Sequence, residues 1–210
     1  MTTARRRAAL ILLNGEIPEP ALVRAAAKAC RGIICADGGL RHAVRLGLRP
    51  DFVAGDMDSL PRRLPPAPAL VYWCDFDENR SDFDKALALA ARLGCRRAYV
   101  AGALGGRADH ALVNLGVFER YRGPLELLLL DRGLARLLGP GRHSLPLRRG
   151  RFSLLAAPSA VLTLGGARYP LRRFALHSPS RGLGNSARGR PLLTVHRGRV
   201  WLIVDKPAAA

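Results

Sequence analysis

From residue 8 to about residue 130 the chain alternates short, unbroken apolar runs with longer segments of helical texture. The runs are Ala8 to Leu13, Ile33 to Ala36, Phe52 to Ala54, Ala69 to Trp73, Ala98 to Ala101 and Leu125 to Leu130, each of strand length. Between them, Pro20 to Ala29, Arg41 to Leu46, Asp82 to Leu93 and Ala108 to Tyr121 predict helices. A strand with one wet face alternates apolar and polar positions, whereas one covered on both faces is apolar throughout. Strands of the second kind separated by helices predict a mostly parallel sheet in a three-layer α/β domain.

After Gly139 the pattern changes. Gly139-Pro140-Gly141, Gly165-Gly166 and Gly198 punctuate short strand-like stretches at Phe152 to Ala156, Ala160 to Leu164, Pro191 to His196 and Arg199 to Val204, with no helical period. These predict an antiparallel β domain. The expected organisation is therefore an α/β domain over residues 1–138 and a β domain over 139–210.

Length agrees with this division, since 210 residues at about 150 per domain leave room for one domain and a smaller partner. At 49% hydrophobic and 24% charged, with 22 Gly and 15 Pro in no period, the chain is not collagen-like, coiled-coil or disordered. Charge adds an asymmetry: the net charge is +18, yet 11 of 16 acidic residues precede residue 86 and only Asp205 is acidic after residue 131. A basic field attracts polyanions, either nucleic acid or phosphorylated small molecules. Arginines are dispersed, aromatics make up 6% and no RNA-recognition signature is present, so an Arg-rich nucleic-acid-binding protein is the lesser alternative.

Cys30, Cys35, Cys74 and Cys95 fall in apolar runs without a Cys-x-x-Cys pair and read as reduced core thiols. Arg5 to Arg7 ahead of Ala8 to Leu13 resemble a leader faintly, but the apolar stretch is short and reads as a first strand. No apolar run approaches the ~20 residues that span a bilayer. The expected location is the cytoplasm, without a membrane partner.

The acids have positions of their own. Asp37-Gly38-Gly39, Gly55-Asp56-Met57-Asp58-Ser59, the stretch from Asp75 to Asp84, and Gly102 to His110 each follow a predicted strand. In a parallel sheet the strand ends share one edge, where open α/β folds bind ligands. Asp37, Asp56, Asp58, Asp77, Asp82 and Asp109 are thus expected to converge. Two unit charges about 4 Å apart repel by roughly 4 kcal/mol at an effective dielectric near 20, so the cluster calls for a cation. Oxygen ligands favour Mg²⁺, shared with substrate phosphates. Gly102 to Arg107 joins strand to helix, aiming backbone N–H groups and a helix N-terminus at a phosphate, with Arg107 as a bidentate partner. It is not a Walker loop. His110 is open to two readings, a general base or a packed helix-start residue.

In order and spacing, Ala36-Asp37-Gly38-Gly39, Pro50-Asp51, Gly55-Asp56-Met57-Asp58-Ser59, Ser81-Asp82 with Lys85, and Gly105-Gly106-Arg107-Ala108-Asp109-His110 resemble the thiamine pyrophosphokinase family. The resemblance implies transfer of a pyrophosphoryl group from ATP to the thiamine hydroxyl, giving thiamine diphosphate and AMP. It also implies an α/β nucleotide-binding domain, a β-sandwich that helps bind thiamine, and a homodimer. By motif, Asp56, Asp58 and Asp82 would hold Mg²⁺ and, with Arg107 and Asp109, carry catalysis. Asp37, Gly38, Ser59, Ser81 and Lys85, with Gly105, Gly106 and His110, would line the nucleotide. In the second domain Tyr169 resembles the family's aromatic that packs on thiamine, and Leu183, Gly184, Asn185 and Ser186 resemble its Ser-Asn element. Asn79 and Gly184 stand where the family usually has an acid and a serine. A Mg²⁺-dependent phosphohydrolase is the enzymatic alternative, because the same groups suit water as nucleophile.

Overall fold

The structure, a computed structural model, describes residues 7–58, 70–177 and 181–205. It is a mixed α/β protein whose chain divides into two compact units, Met1–Asp131 and Arg132–Ala210.

The first unit contains β1 (Ala8–Leu12), α1 (Pro20–Ala29), β2 (Gly32–Ala36), α2 (Leu40–Arg45), β3 (Phe52–Gly55) and β4 (Val71–Cys74). It continues with α3 (Asp82–Arg92), β5 (Arg97–Ala101), α4 (Ala108–Arg120) and β6 (Glu126–Leu130). Its strands pair in parallel in the order β6-β5-β1-β2-β3-β4. Every residue of β1 is buried. Side chains alternate between faces, so both faces of this central strand are covered. Leu10, Ile11 and Leu12 are completely enclosed, and burying each contributes about 1.5–3 kcal/mol. The expected pattern fails at the edge: β4 leaves Val71 and Tyr72 exposed, because an edge strand has one neighbour and no helix is needed over it. Cys74 is exposed with them, so the core-thiol reading holds for Cys35 and Cys95 but not for Cys74; all four thiols are free.

Local signals set the helix starts. Pro20 opens α1, where its missing N–H costs nothing. Ser81 caps α3: its hydroxyl accepts from the Asp84 N–H at 3.2 Å, and the Ser81 N–H donates back to the Asp84 carboxylate at 3.2 Å. Such a reciprocal cap contributes roughly 1 kcal/mol. α3 packs on β1, β2 and β3, and meets α4 through Phe83 and Phe118, whose ring centres are 5.3 Å apart.

The second unit is built from β7 (Gly133–Leu138), β8 (Gly141–Ser144), β9 (Arg151–Ala167), β10 (Leu171–Leu176) and β11 (Asn185–Asp205). β7, whose sequence texture groups it with the first part, lies here; the Gly139-Pro140-Gly141 break is more conspicuous than the turn at Asp131-Arg132. β9 and β11 each join two of the expected short strands, because Pro158 and Gly198 are absorbed inside a continuous strand rather than ending it. Along this pair, Leu193 faces Leu164 and Val195 faces Leu162, then Val200 faces Ala156 and Leu202 faces Leu154, so the strands run in opposite directions with a shift of register between the stretches. β11 also pairs antiparallel with β8 through Leu192 to Val195 and with β7 through Val200 to Asp205. Phe152, Leu154, Leu162, Leu164, Leu193, Val200 and Leu202 form this unit's own core.

Candidate active site

Strand order fixes where ligand should sit. From β1 the chain winds through β2, β3 and β4 on one side, then returns to place β5 on the other, so β1 and β5 flank the point where the winding reverses. Adjacent loops diverge there and open a crevice at the carboxyl ends of the strands. A cavity of about 630 Å³ occupies that edge, walled by Leu13 to Gly15 after β1, by Ser81 and Asp82 at α3, and by Gly105 to Arg107, Asp109 and His110 at α4. Its floor is tied by main-chain hydrogen bonds from Leu13 N to Ala101 O at 2.8 Å, Gly15 N to Gly102 O at 2.7 Å and Glu16 N to Leu104 O at 2.7 Å.

Beside the cavity lie the acids that follow β2 and β3. Carboxylate oxygens of Asp37, Asp56 and Asp58 fall within 4.8 Å of one another, Asp37 buried and the other two exposed. Asp37 starts a single 3₁₀ turn, Asp37–Gly39. An added Cβ at Gly39 would lie 2.0 Å from the Leu12 carbonyl oxygen, so this turn can lie against β1 only without a side chain there. Gly55, at φ +154°, leaves the space between two acids: a Cβ there would be 3.0 Å from Asp37 Cβ and 3.0 Å from Asp82 Oδ1. Asp37 (φ 38°) and Met57 (φ 72°) both adopt left-handed backbone, a conformation that costs about 1–3 kcal/mol and concentrates at functional sites.

The expected metal set was Asp56, Asp58 and Asp82; the tight cluster instead joins Asp37 to Asp56 and Asp58, and Asp82 stands next to it. Burial pushes the Asp82 carboxyl above its ordinary range, Lys85 opposes this, and the charges of Asp56 and Asp58 add to the rise. Lys85, 2% exposed, places its Nζ 3.3 Å from Asp82 Oδ1. Asp109 has the opposite environment. Arg107 donates to it from Nε at 3.1 Å and Nη2 at 2.6 Å, and the His110 N–H adds a bond at 2.9 Å; these hold its carboxyl at about 2. Three carboxylates offering only oxygen suit a hard divalent cation such as Mg²⁺.

Other expected residues serve the backbone. Asp77 is not among the three grouped acids; in the loop before α3 it accepts from the N–H and the amide of Asn79. Ser81 lines the cavity but uses its hydroxyl in the α3 cap. His110 lines the cavity at the first turn of α4, and Ser59 lies outside the described residues. In the second unit, the Asn185 side chain is buried and clamps Tyr169, accepting from its N–H at 3.1 Å and donating to its carbonyl at 2.9 Å. Tyr169 is 54% exposed, with the Arg168 guanidinium 5.3 Å from its ring centre. Ser186 donates its N–H to Asn185 Oδ1 and Gly184 donates its own to Ser153 Oγ, while Leu183 is exposed.

Sequence reasoning missed Asn14 and Gly15, although the strand-end rule used for four later strands applies equally to β1. It also missed Arg41, which donates to the Asn14 carbonyl at 2.7 Å, and His42, whose Nε2 bonds the Gly15 carbonyl at 2.7 Å. Burial lowers the His42 pKa, the Gly15 carbonyl opposes that, and Arg41 and Arg45 reinforce it. Asn114, reached one helical turn beyond His110, donates to the Ala103 carbonyl at 2.9 Å. Nothing in the sequence beyond basic composition marks Arg41.

A parallel sheet with a crevice at its reversal point, an all-oxygen acid cluster and an arginine at the facing helix defines an α/β protein of the class that binds ligands at the sheet's carboxyl edge. Residues 23–126 match the family model for the thiamin pyrophosphokinase catalytic domain, and thiamine pyrophosphokinase 2 of Arabidopsis thaliana is 31% identical over 170 residues, 67% of this chain. The chain belongs to the thiamine pyrophosphokinase family. That alignment spans 61% of the Arabidopsis protein's length. Thiamine pyrophosphokinase 1 of the same plant is 28% identical over 209 residues, covering 81% of this chain and 75% of its own. The fold is similar to that of thiamine pyrophosphokinase from Bacillus subtilis, with a TM-score of 0.80 at 23% identity over 95% of this chain and 99% of the other. It is also similar to the Candida albicans enzyme, with a TM-score of 0.74 at 17% identity, covering 97% and 90%.

Proposed function

We propose that this protein is a thiamine pyrophosphokinase, transferring the pyrophosphoryl group of ATP to the hydroxyl of thiamine to give thiamine diphosphate and AMP. The observation that carries this reading is family membership through a segment that contains both the acid cluster and most of the cavity wall.

Asp37, Asp56 and Asp58 would hold Mg²⁺, with Asp82 adjacent. When bound, the ion neutralises charge on the triphosphate. Gly105 and Gly106 present main chain to the phosphates at the start of α4, whose N-terminus favours negative charge. Arg107 exchanges Asp109 for a phosphoryl oxygen, a short move for an exposed side chain at the cavity wall. The acceptor oxygen bonds to the β-phosphorus, the bond from that phosphorus to the α–β bridging oxygen breaks, and AMP leaves. The hydroxyl proton passes to a carboxylate. Asp82 is favoured for this, since burial raises its carboxyl above the ordinary range and so makes it the better proton acceptor. Lys85, buried against Asp82, fixes that carboxylate in place. Catalysis is then chiefly positioning and electrostatics.

The second unit is read as a β-sandwich that contributes Tyr169 to a thiamine contact, with Asn185 setting the position of Tyr169. The working assembly is read as a homodimer, consistent with Leu112 and Val113 standing exposed on α4. Four free thiols fit a reducing cytoplasm.

The test is product analysis with Mg-ATP. Formation of AMP and thiamine diphosphate in equal amounts, only when thiamine is present, is the expected result. Phosphate release at the same rate without thiamine would replace this reading with a Mg²⁺-dependent phosphohydrolase.

A further inference from the structure

A second cavity, of about 570 Å³, is lined by the loop after β1 together with α1 and α2. Three of its walls are cationic: Arg24 from α1, and Arg41 and Arg45 from α2. Arg41 and Arg45 are four apart on one short helix, so they share a face where like charges repel. Among the described residues, none of the three arginines takes part in an ion pair. Buried His42 lies in the same wall and, being neutral or cationic, supplies no countercharge to the arginines. Glu16, from the loop after β1, is the acid on this wall. α1 also opens here through Pro20, with Glu19 at its N-cap. Three guanidiniums against one carboxylate leave a concave surface with excess positive charge in which local sequence choices oppose the fold. Such conflicts mark functional positions.

We propose that this cavity is an anion site, distinct from the acid-lined cavity, that takes the phosphoryl group of a small molecule through Arg24 and Arg45. Guanidinium forks match phosphate oxygens bidentately. The two cavities share Asn14, Gly15, Arg41 and Gly106. The chemistry separates them. An anion enters the first beside Asp37, Asp56 and Asp58 and needs a cation there, whereas the arginine cavity needs none.

Inorganic pyrophosphate titrated calorimetrically into the full chain in excess EDTA tests this. Saturable binding is expected, weakened at least tenfold in the double variant Arg24→Ala/Arg45→Ala and unchanged in Asp58→Asn. The double variant Arg24→Lys/Arg45→Lys, which keeps charge and loses the fork, should fall between, and guards against a general folding defect. Displacement of pyrophosphate by AMP assigns the pocket to nucleotide phosphates; retention in excess AMP assigns it to free inorganic anions, and either outcome supports the site. No saturable binding in EDTA, equal binding by the alanine variant, or loss of binding in Asp58→Asn overturns the proposal. Thiamine-dependent AMP formation is measured separately, so failure of the kinase reading would leave the EDTA result standing.

Discussion

The two units of the chain use their buried polar groups differently. In the first, Asp37, His42 and Lys85 are buried at the ends of strands or on the helices that follow, beside a cavity and an acid cluster, where local geometry is strained or close-packed. In the second, Asn185 is buried and its amide is committed to the main chain of Tyr169. A strained position next to a crevice points to chemistry, while a satisfied amide points to shape. Substitutions in the acid cluster should therefore lower activity without loss of stability, and substitution of Asn185 should lower stability with little effect on turnover.

The largest expected effect is on turnover. Asp58→Asn should lower kcat by about 100- to 1,000-fold, the scale of losing one group that stabilises transition-state charge. It also removes one of three crowded like charges, so the melting temperature should stay equal or rise. A normal kcat in this variant would remove Asp58 from the site. Next comes a change in the same unit that acts through shape. Gly39→Ala forces a Cβ to 2.0 Å from the Leu12 carbonyl oxygen, and should destabilise by about 2–4 kcal/mol in urea titration, with loss of Mg-ATP binding at temperatures where the variant is still folded.

Asn185→Ala in the second unit should cost about 1–3 kcal/mol, because it strands the N–H and carbonyl of Tyr169. At saturating substrates its kcat should be close to that of the parent, with any effect confined to KM for thiamine. A thousandfold fall in kcat without loss of stability would reverse the contrast between the units. The smallest effect is a pH dependence. Because the His42 pKa is lowered from 6.5 in the folded protein, the unfolded chain binds more protons below that value. The contribution is complete above pH 6.5 and declines as pH falls through the lowered pKa. The urea midpoint should drop more between pH 7 and about 5 in the parent than in His42→Gln.

How much of this could be read from residues alone depended on whether the decisive contact was local. The six strands and four helices of the first unit follow unbroken apolar runs and the helical segments between them, with a Pro start at α1 and a Ser cap at α3, so their positions were legible to within a residue or two where described. Asp37, Asp56 and Asp58 were legible as acids at strand ends. That Asp37 rather than Asp82 completes the tight cluster was not, since it depends on the positive φ at Asp37 and the missing side chain at Gly55. Asp77 reads the same as the others in sequence, but in the fold it accepts from the N–H and amide of Asn79. In the second unit, Gly198 looked like a strand end and Phe152 to Ala156 and Ala160 to Leu164 like separate strands, although a paired partner can carry a long strand through such breaks at the cost of a register shift. Arg41 and His42 were silent because each acts on a main-chain carbonyl of a distant loop.

The three main-chain bonds between the loops after β1 and β5 have a consequence for descent with modification. A floor made of peptide groups keeps its contour while the residues above it are exchanged, provided glycine persists where the two loops touch. Substrate preference in such a protein can drift one side chain at a time without rebuilding the crevice that receives the substrate.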